Sequence, residues 1–162
     1  MTAVSLCDED RDIRVFVSAG DQEDVLGRLA LRARESKTFS ASLPAAQVQT
    51  WSPETPKLYD LCAALYVDGH PVDDLRDRFG YREVKLEGRR ILLSGEPLII
   101  KGFNRHEAYA EFGSAVPLEV MVRDVQMLKD LGANAVRTCH YPNDPRFLDL
   151  CDEYGQIGRA HV

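Results

Sequence analysis

From Leu98 to Gly155 the sequence alternates apolar run, periodic helix, short strand and periodic helix, and that order leaves few folds open. Leu98-Ile99-Ile100 is a continuous apolar run, as expected of a strand covered on both faces. A loop from Ala108 to Val116 leads to Pro117, which suits a first helical position. Leu118, Met121, Val122, Val125, Leu128 and Leu131 then recur at three- and four-residue steps until Gly132 supplies a stop. Ala133 to Thr138 reads as a strand and Cys139 to Asn143 as a polar loop. Asp144-Pro145 reads as an N-cap with proline just inside a second helix, whose apolar side is Phe147, Leu148, Cys151 and Tyr154 and whose stop is Gly155. Crossovers of this kind are right-handed and make the two strands parallel, so both end on the same edge of a sheet.

Before this stretch the period is two. Ile13, Val15 and Val17, then Leu29 and Leu31, then Leu61, Ala63, Leu65 and Val67 alternate as half-buried antiparallel strands do. Ser18 to Gln22 and Trp51 to Pro56 are connectors, and Asp68-Gly69-His70-Pro71 reads as a turn. Five or six strands fit before Phe79, the spacing of a β-sandwich that is incomplete at its amino end. Past Tyr81, Val84 and Leu86 alternate, and Arg90 to Leu93 and Pro97 to Lys101 flank Ser94-Gly95-Glu96, a three-residue hairpin connector.

Parallel strands followed by helices carry ligands at their carboxyl ends, where loops are free to hold polar groups. Asn104-Arg105-His106-Glu107 is expected at the first such end and Arg137-Thr138-Cys139-His140-Tyr141-Pro142 at the second. Adjacent strands lie about 4.8 Å apart, so His106 and His140 are placed to face one ligand. Imidazoles, guanidiniums and a carboxylate around one cleft suit a hydroxyl-rich or anionic substrate. A single strand-end histidine is more often structural, and the pair at equivalent ends is what raises the case for a site.

Composition narrows the partners. Lys and Arg number 20 against 26 Asp and Glu, a net charge of −6 without a basic run, which argues against nucleic acid. No apolar run nears the roughly 20 residues needed to cross a bilayer, and the charged first residues lack a signal core, so the chain reads as soluble, with the cytoplasm slightly favoured. Cys7, Cys62, Cys139 and Cys151 are far apart without a CxxC, which suggests buried free thiols, and no metal ligand set is assigned.

Four ordered landmarks carry a specific resemblance: Trp51-Ser52-Pro53-Glu54-Thr55-Pro56-Lys57-Leu58-Tyr59, Phe79-Gly80-Tyr81-Arg82, Gly102-Phe103-Asn104-Arg105-His106-Glu107 and Gly132 through Pro142. In this order they resemble glycoside hydrolase family two, which contains the β-galactosidases and β-glucuronidases. The resemblance covers Trp51 to Gly155. It implies a multidomain β plus α/β chain: a partial immunoglobulin-like β-sandwich over 1–82, then the first two strand-helix units of a TIM (β/α)8 barrel over 83–155. It also implies that His106 and His140 lie in the sugar subsite and stabilise the transition state, with Asn104, Arg105, Arg137 and Tyr141 as substrate-binding residues. Hydrogen bonds to sugar hydroxyls that tighten as the ring flattens toward an oxocarbenium ion lower the barrier by differential binding. Glu107 is expected to pair with Arg105 or Arg137 and hold the loop.

Retaining glycosidases use two carboxyl groups about 5 to 5.5 Å apart. The resemblance assigns both to glutamates on later barrel strands, so the chain is expected to be an internal piece of a longer enzyme, inactive and aggregation-prone alone. The substrate implied is a β-linked sugar, with galactoside favoured over glucuronide by Asn143 and the Ala108 to Val116 loop. No cofactor is expected in this chain, since any magnesium or sodium site of relatives would draw on residues outside it. Homo-oligomerisation of the complete enzyme stays open. The last six residues are what ATC GGA AGA GCA CAC GTC would encode, a string that resembles a sequencing-library adapter, so 156–162 is expected to be a non-native tail in which Arg159 and His161 have no function. The competing class is a non-catalytic sandwich module that binds glycan or protein and folds autonomously.

Overall fold

The computed structural model describes residues 2–40, 42–45 and 47–160, with backbone only for 26–29, 159 and 160. Its helices and strands fall into two compact units, residues 1–48 with 59–79 and residues 49–58 with 80–162. The Trp51 segment therefore belongs with the later unit, whereas the sequence reading draws its boundary after residue 82.

Among the described residues, six strands end by Phe79. In the first unit β1 (Thr2–Val4) pairs antiparallel with β4 (Ser36–Thr38). Strands β2 (Arg11–Ala19), β3 (Gln22–Leu31), β5 (Tyr59–Val67) and β6 (His70–Phe79) form an antiparallel sheet in the order β3-β2-β5-β6. The alternation sends Ile13 and Val15 inward to meet Ala3, Leu31 and Phe39 in one small core. Leu29, part of the expected pattern, lies outside the described side chains. The β5–β6 hairpin turns on Asp68 and Gly69, whose positive φ values of 49° and 82° give the strands the twist of a two-residue primed turn.

The second unit opens on a three-stranded antiparallel ribbon, β7 (Val84–Glu87), β8 (Arg90–Leu93) and β9 (Glu96–Leu98). Its β8–β9 connection is two residues, Ser94 and Gly95 at φ 49° and 91°, not the three expected. The apolar run also corrects an expectation. Leu98 closes β9, while Ile99 is 73% exposed and outside any strand, so the first parallel strand is instead β10, Gly102–Arg105.

Helix α1 (Leu118–Asp130) follows directly after Pro117 and buries Met121, Val125 and Leu128, leaving Leu118 and Leu131 at its exposed ends. Strand β11 (Ala135–Thr138) pairs parallel with β10 in the register Gly102↔Ala135 to Arg105↔Thr138. At Gly102 the strands approach so closely that a Cβ would sit 2.2 Å from the Ala135 carbonyl oxygen, which requires glycine. Helix α2 (Pro145–Tyr154) is N-capped by Asp144, whose carboxylate accepts from the Arg146 amide at 2.9 Å, and ends at Gly155 with φ 70°. Its buried side is Phe147, Leu150 and Cys151, with Leu150 in the place expected of Leu148. These join Val116, Met121, Val125, Leu128, Ala133 and Val136 in one core.

A third parallel strand, β12 (Ile157–Ala160), pairs with β11. Gln156 before it is fully buried and donates its side-chain amide to the Ala133 carbonyl at 2.8 Å. Residues 161 and 162 of the expected tail lie outside the described residues. The Trp51 indole, also buried, donates to the Asp152 carbonyl at 2.8 Å and fastens the 49–58 segment to the end of α2. No helix among the described residues is long and apolar enough to cross a membrane.

Candidate active site

The carboxyl ends of β10 and β11 lie side by side because the two strands are parallel and in register. The ladder continues one step further, where the Cys139 amide donates to the Arg105 carbonyl at 3.0 Å. His106 and His140, the first exposed residues beyond this point on each strand, come together with ring centroids 5.4 Å apart at 61°. The Tyr141 ring lies 6.1 Å from that of His106. Asn104 and Arg137, cross-strand partners, meet through an Arg137 Nη1 to Asn104 Oδ1 contact of 3.5 Å. Five of the six residues expected at the site thus gather on one rim.

Arg105 is the exception and takes a different position. One step along the strand from Asn104, its side chain turns to the face covered by α1 and α2 and is 8% exposed. Its Nε donates to Asp124 Oδ2 at 2.9 Å and its Nη1 to Glu107 Oε1 at 3.3 Å and Asn143 Oδ1 at 3.4 Å. The guanidinium carbon stacks 3.8 Å over the Phe147 ring. A planar cation that meets two carboxylates and an aromatic face together is a scaffold for the rim rather than a contact for ligand.

Glu107 supplies the other half of this scaffold, paired with Arg105 as expected. Both carboxylate oxygens also accept from the Asp144 amide at 3.1 Å, which joins the loop after β10 to the start of α2. Tyr109 donates its hydroxyl to Asp124 Oδ1, and this bond, with burial behind it, pushes the phenol above its ordinary value. Sequence reasoning missed Asp124, Tyr109 and Cys139. No local pattern points to them, since only the packing of α1 on β10 and the parallel register of the strands bring them in.

An antiparallel β unit followed by parallel strands with helical crossovers, and polar rims at the strand ends, defines a sandwich joined to the start of an α/β barrel. Comparison with known proteins makes the class specific. The family described as Glycosyl hydrolases family 2 matches residues 8–82, and Glycosyl hydrolases family 2, TIM barrel domain, matches residues 84–157. The chain belongs to glycosyl hydrolase family 2, of which it carries the immunoglobulin-like domain and the start of the TIM barrel.

A β-galactosidase of Streptococcus thermophilus is 36% identical over 147 residues, which is 91% of this chain and 14% of that protein. One from Photobacterium profundum is 41% identical over 115 residues, 70% of this chain and 11% of that protein. Among solved structures, a GH2 beta-galacturonidase from Eisenbergiella tayi bound to galacturonate is 43% identical with a TM-score of 0.90, covering 98% of this chain and 29% of that one. The chain thus spans about a seventh or less of these curated relatives' length.

Proposed function

We propose that the chain is part of a retaining β-glycosidase acting on a galacto-configured sugar, and that Asn104, His106, Arg137, His140 and Tyr141 form one wall of its sugar subsite. The observation that carries this reading is the 5.4 Å approach of the His106 and His140 rings at the ends of adjacent parallel strands. Imidazoles so placed can each meet a hydroxyl of one pyranose ring. Bonds that shorten as the ring flattens toward an oxocarbenium ion stabilise the transition state more than the ground state, which raises kcat. The reacting carboxyl pair belongs, by the family resemblance, to later strands of the barrel. Glu107 is bound to Arg105 and the Asp144 amide, so it holds the rim in place. The reaction calls on no cofactor from this chain.

The β-galactosidase relatives and the β-galacturonidase share the galacto configuration and differ at C6, where a hydroxymethyl is replaced by a carboxylate. A galacturonide is therefore the second reading, favoured by 43% identity over nearly the whole chain and by a half-buried guanidinium, Arg137, on the rim.

The test is made on the full-length enzyme, with aryl β-galactoside and aryl β-galacturonide compared by kcat/KM. His106→Ala and His140→Ala should each lower kcat/KM on the preferred substrate by about a hundredfold, mostly in kcat. Turnover of neither glycoside, or unchanged constants in both variants, would overturn the reading. The ratio between the two substrates decides the group at C6.

A further inference from the structure

We propose that His106, Cys139 and His140 form a binding site for a thiophilic divalent cation of the Zn2+ class. No two of these residues have a zinc-knuckle spacing, and the parallel register alone assembles them. Their donor atoms lie within 4.8 Å of one another. A tetrahedral zinc with Zn–N near 2.0–2.1 Å and Zn–S near 2.3 Å needs donors about 3.3–3.6 Å apart. The gap of about 1 Å closes by small rotations of two exposed imidazoles around a fixed sulfur, since Cys139 is 1% exposed and both histidines face solvent.

The donor set also selects the metal. Two imidazoles and a thiol suit zinc and its soft neighbours, whereas magnesium and calcium take oxygen ligands. On binding, the Cys139 S–H bond breaks, its proton passes to water and the sulfur electron pair goes to the metal. Arg137 Nη1 donates to Cys139 Sγ at 3.3 Å, the kind of outer contact that orients a metal-bound thiolate. Three protein ligands leave a fourth position open toward the rim. A cation held there would engage both histidines and exclude sugar from them, a consequence that rests on the glycosidase reading while the metal site itself does not.

The test titrates the chain with Zn2+ by calorimetry, with Mg2+ as contrast, and follows Co2+ as an absorbing probe of sulfur ligation. Cys7→Ser/Cys62→Ser serves as background, because those two thiols are the less buried ones. One zinc should bind per chain, Mg2+ should show no saturable binding, and Cys139→Ser or His140→Gln should each weaken zinc roughly tenfold or more. The sulfur-to-cobalt charge-transfer band should vanish in Cys139→Ser. Failure to bind zinc saturably, unchanged affinity in Cys139→Ser, or an equal loss from Cys7→Ser and Cys139→Ser in the otherwise unaltered chain would overturn the proposal. None of these readouts uses a sugar, so glycosidase activity and zinc binding can fail separately.

Discussion

The Glu107 amide donates to the Tyr141 phenol at 2.8 Å, and this bond ties the loop leaving β10 to the loop leaving β11. Tyr141 is thus both a candidate sugar contact and a strut between the strand ends that carry His106 and His140. Tyr141→Phe should keep the ring and lose the strut, at a cost of about 0.5–1.5 kcal/mol. A urea midpoint equal to that of the unaltered chain would show that water replaces the phenol without loss.

Arg105 balances one buried carboxylate, Glu107, and one part-buried carboxylate, Asp124, so its removal should be far more damaging than the loss of one surface ion pair. Arg105→Met leaves buried Glu107 and part-buried Asp124 without their cation, and breaking a buried pair in this way costs about 3–5 kcal/mol. Neutralising the partners in Arg105→Met/Glu107→Gln/Asp124→Asn should recover part of that loss. Denaturant unfolding of the three proteins checks the order, and a triple variant weaker than the single one would contradict it.

Burial, helped by the charge of Asp152, pushes the Cys151 thiol up from its ordinary 9.0 to about 12. The folded state therefore holds the neutral form. Its stabilising contribution is complete below about pH 9 and is lost as the pH rises from there toward 12. Thermal melts across this window should fall less steeply for Cys151→Ala than for the unaltered chain. At pH 8 a thiol reagent should label exposed Cys7 well before Cys151.

Asp144 behaves in the opposite sense. The Arg146 side chain, and after it the Arg146 amide, hold its carboxyl down to about 2 from an ordinary 3.8. The cap is fully effective above about pH 4 and weakens as the pH falls from 4 toward 2. Asp144→Asn keeps an acceptor for the helix amide and should flatten this acid limb, whereas Asp144→Ala should lower stability at pH 7 as well. Urea midpoints at pH 7 and pH 3 separate the two.

The helices were legible in the sequence because their signals are local: Pro117 and Gly132 bracket a three- and four-step stripe, and Asp144 and Gly155 bracket the second. So was the meeting of His106 with His140, which follows once two crossovers force parallel strands. The first barrel strand was not. Its four residues, Gly102–Arg105, carry too little periodicity to compete with the apolar run just before them, and that run is largely exposed. Arg105 was misplaced for a related reason, since its partner Asp124 sits on α1, 19 residues away. Cys139 read as a buried thiol, which it is, but nothing in its spacing announced the two imidazoles beside it.

The fastening of Trp51 to the end of α2 has a consequence for how this polypeptide can be divided. Residues 49–58 serve the later unit yet precede the 59–79 hairpin, which serves the earlier one. Scission after residue 48 strands the sandwich without two of its four main strands, and scission after residue 79 robs the barrel portion of its tryptophan anchor. Recombination that exchanges either unit intact must therefore carry the whole interleaved stretch with it, despite there being two cores.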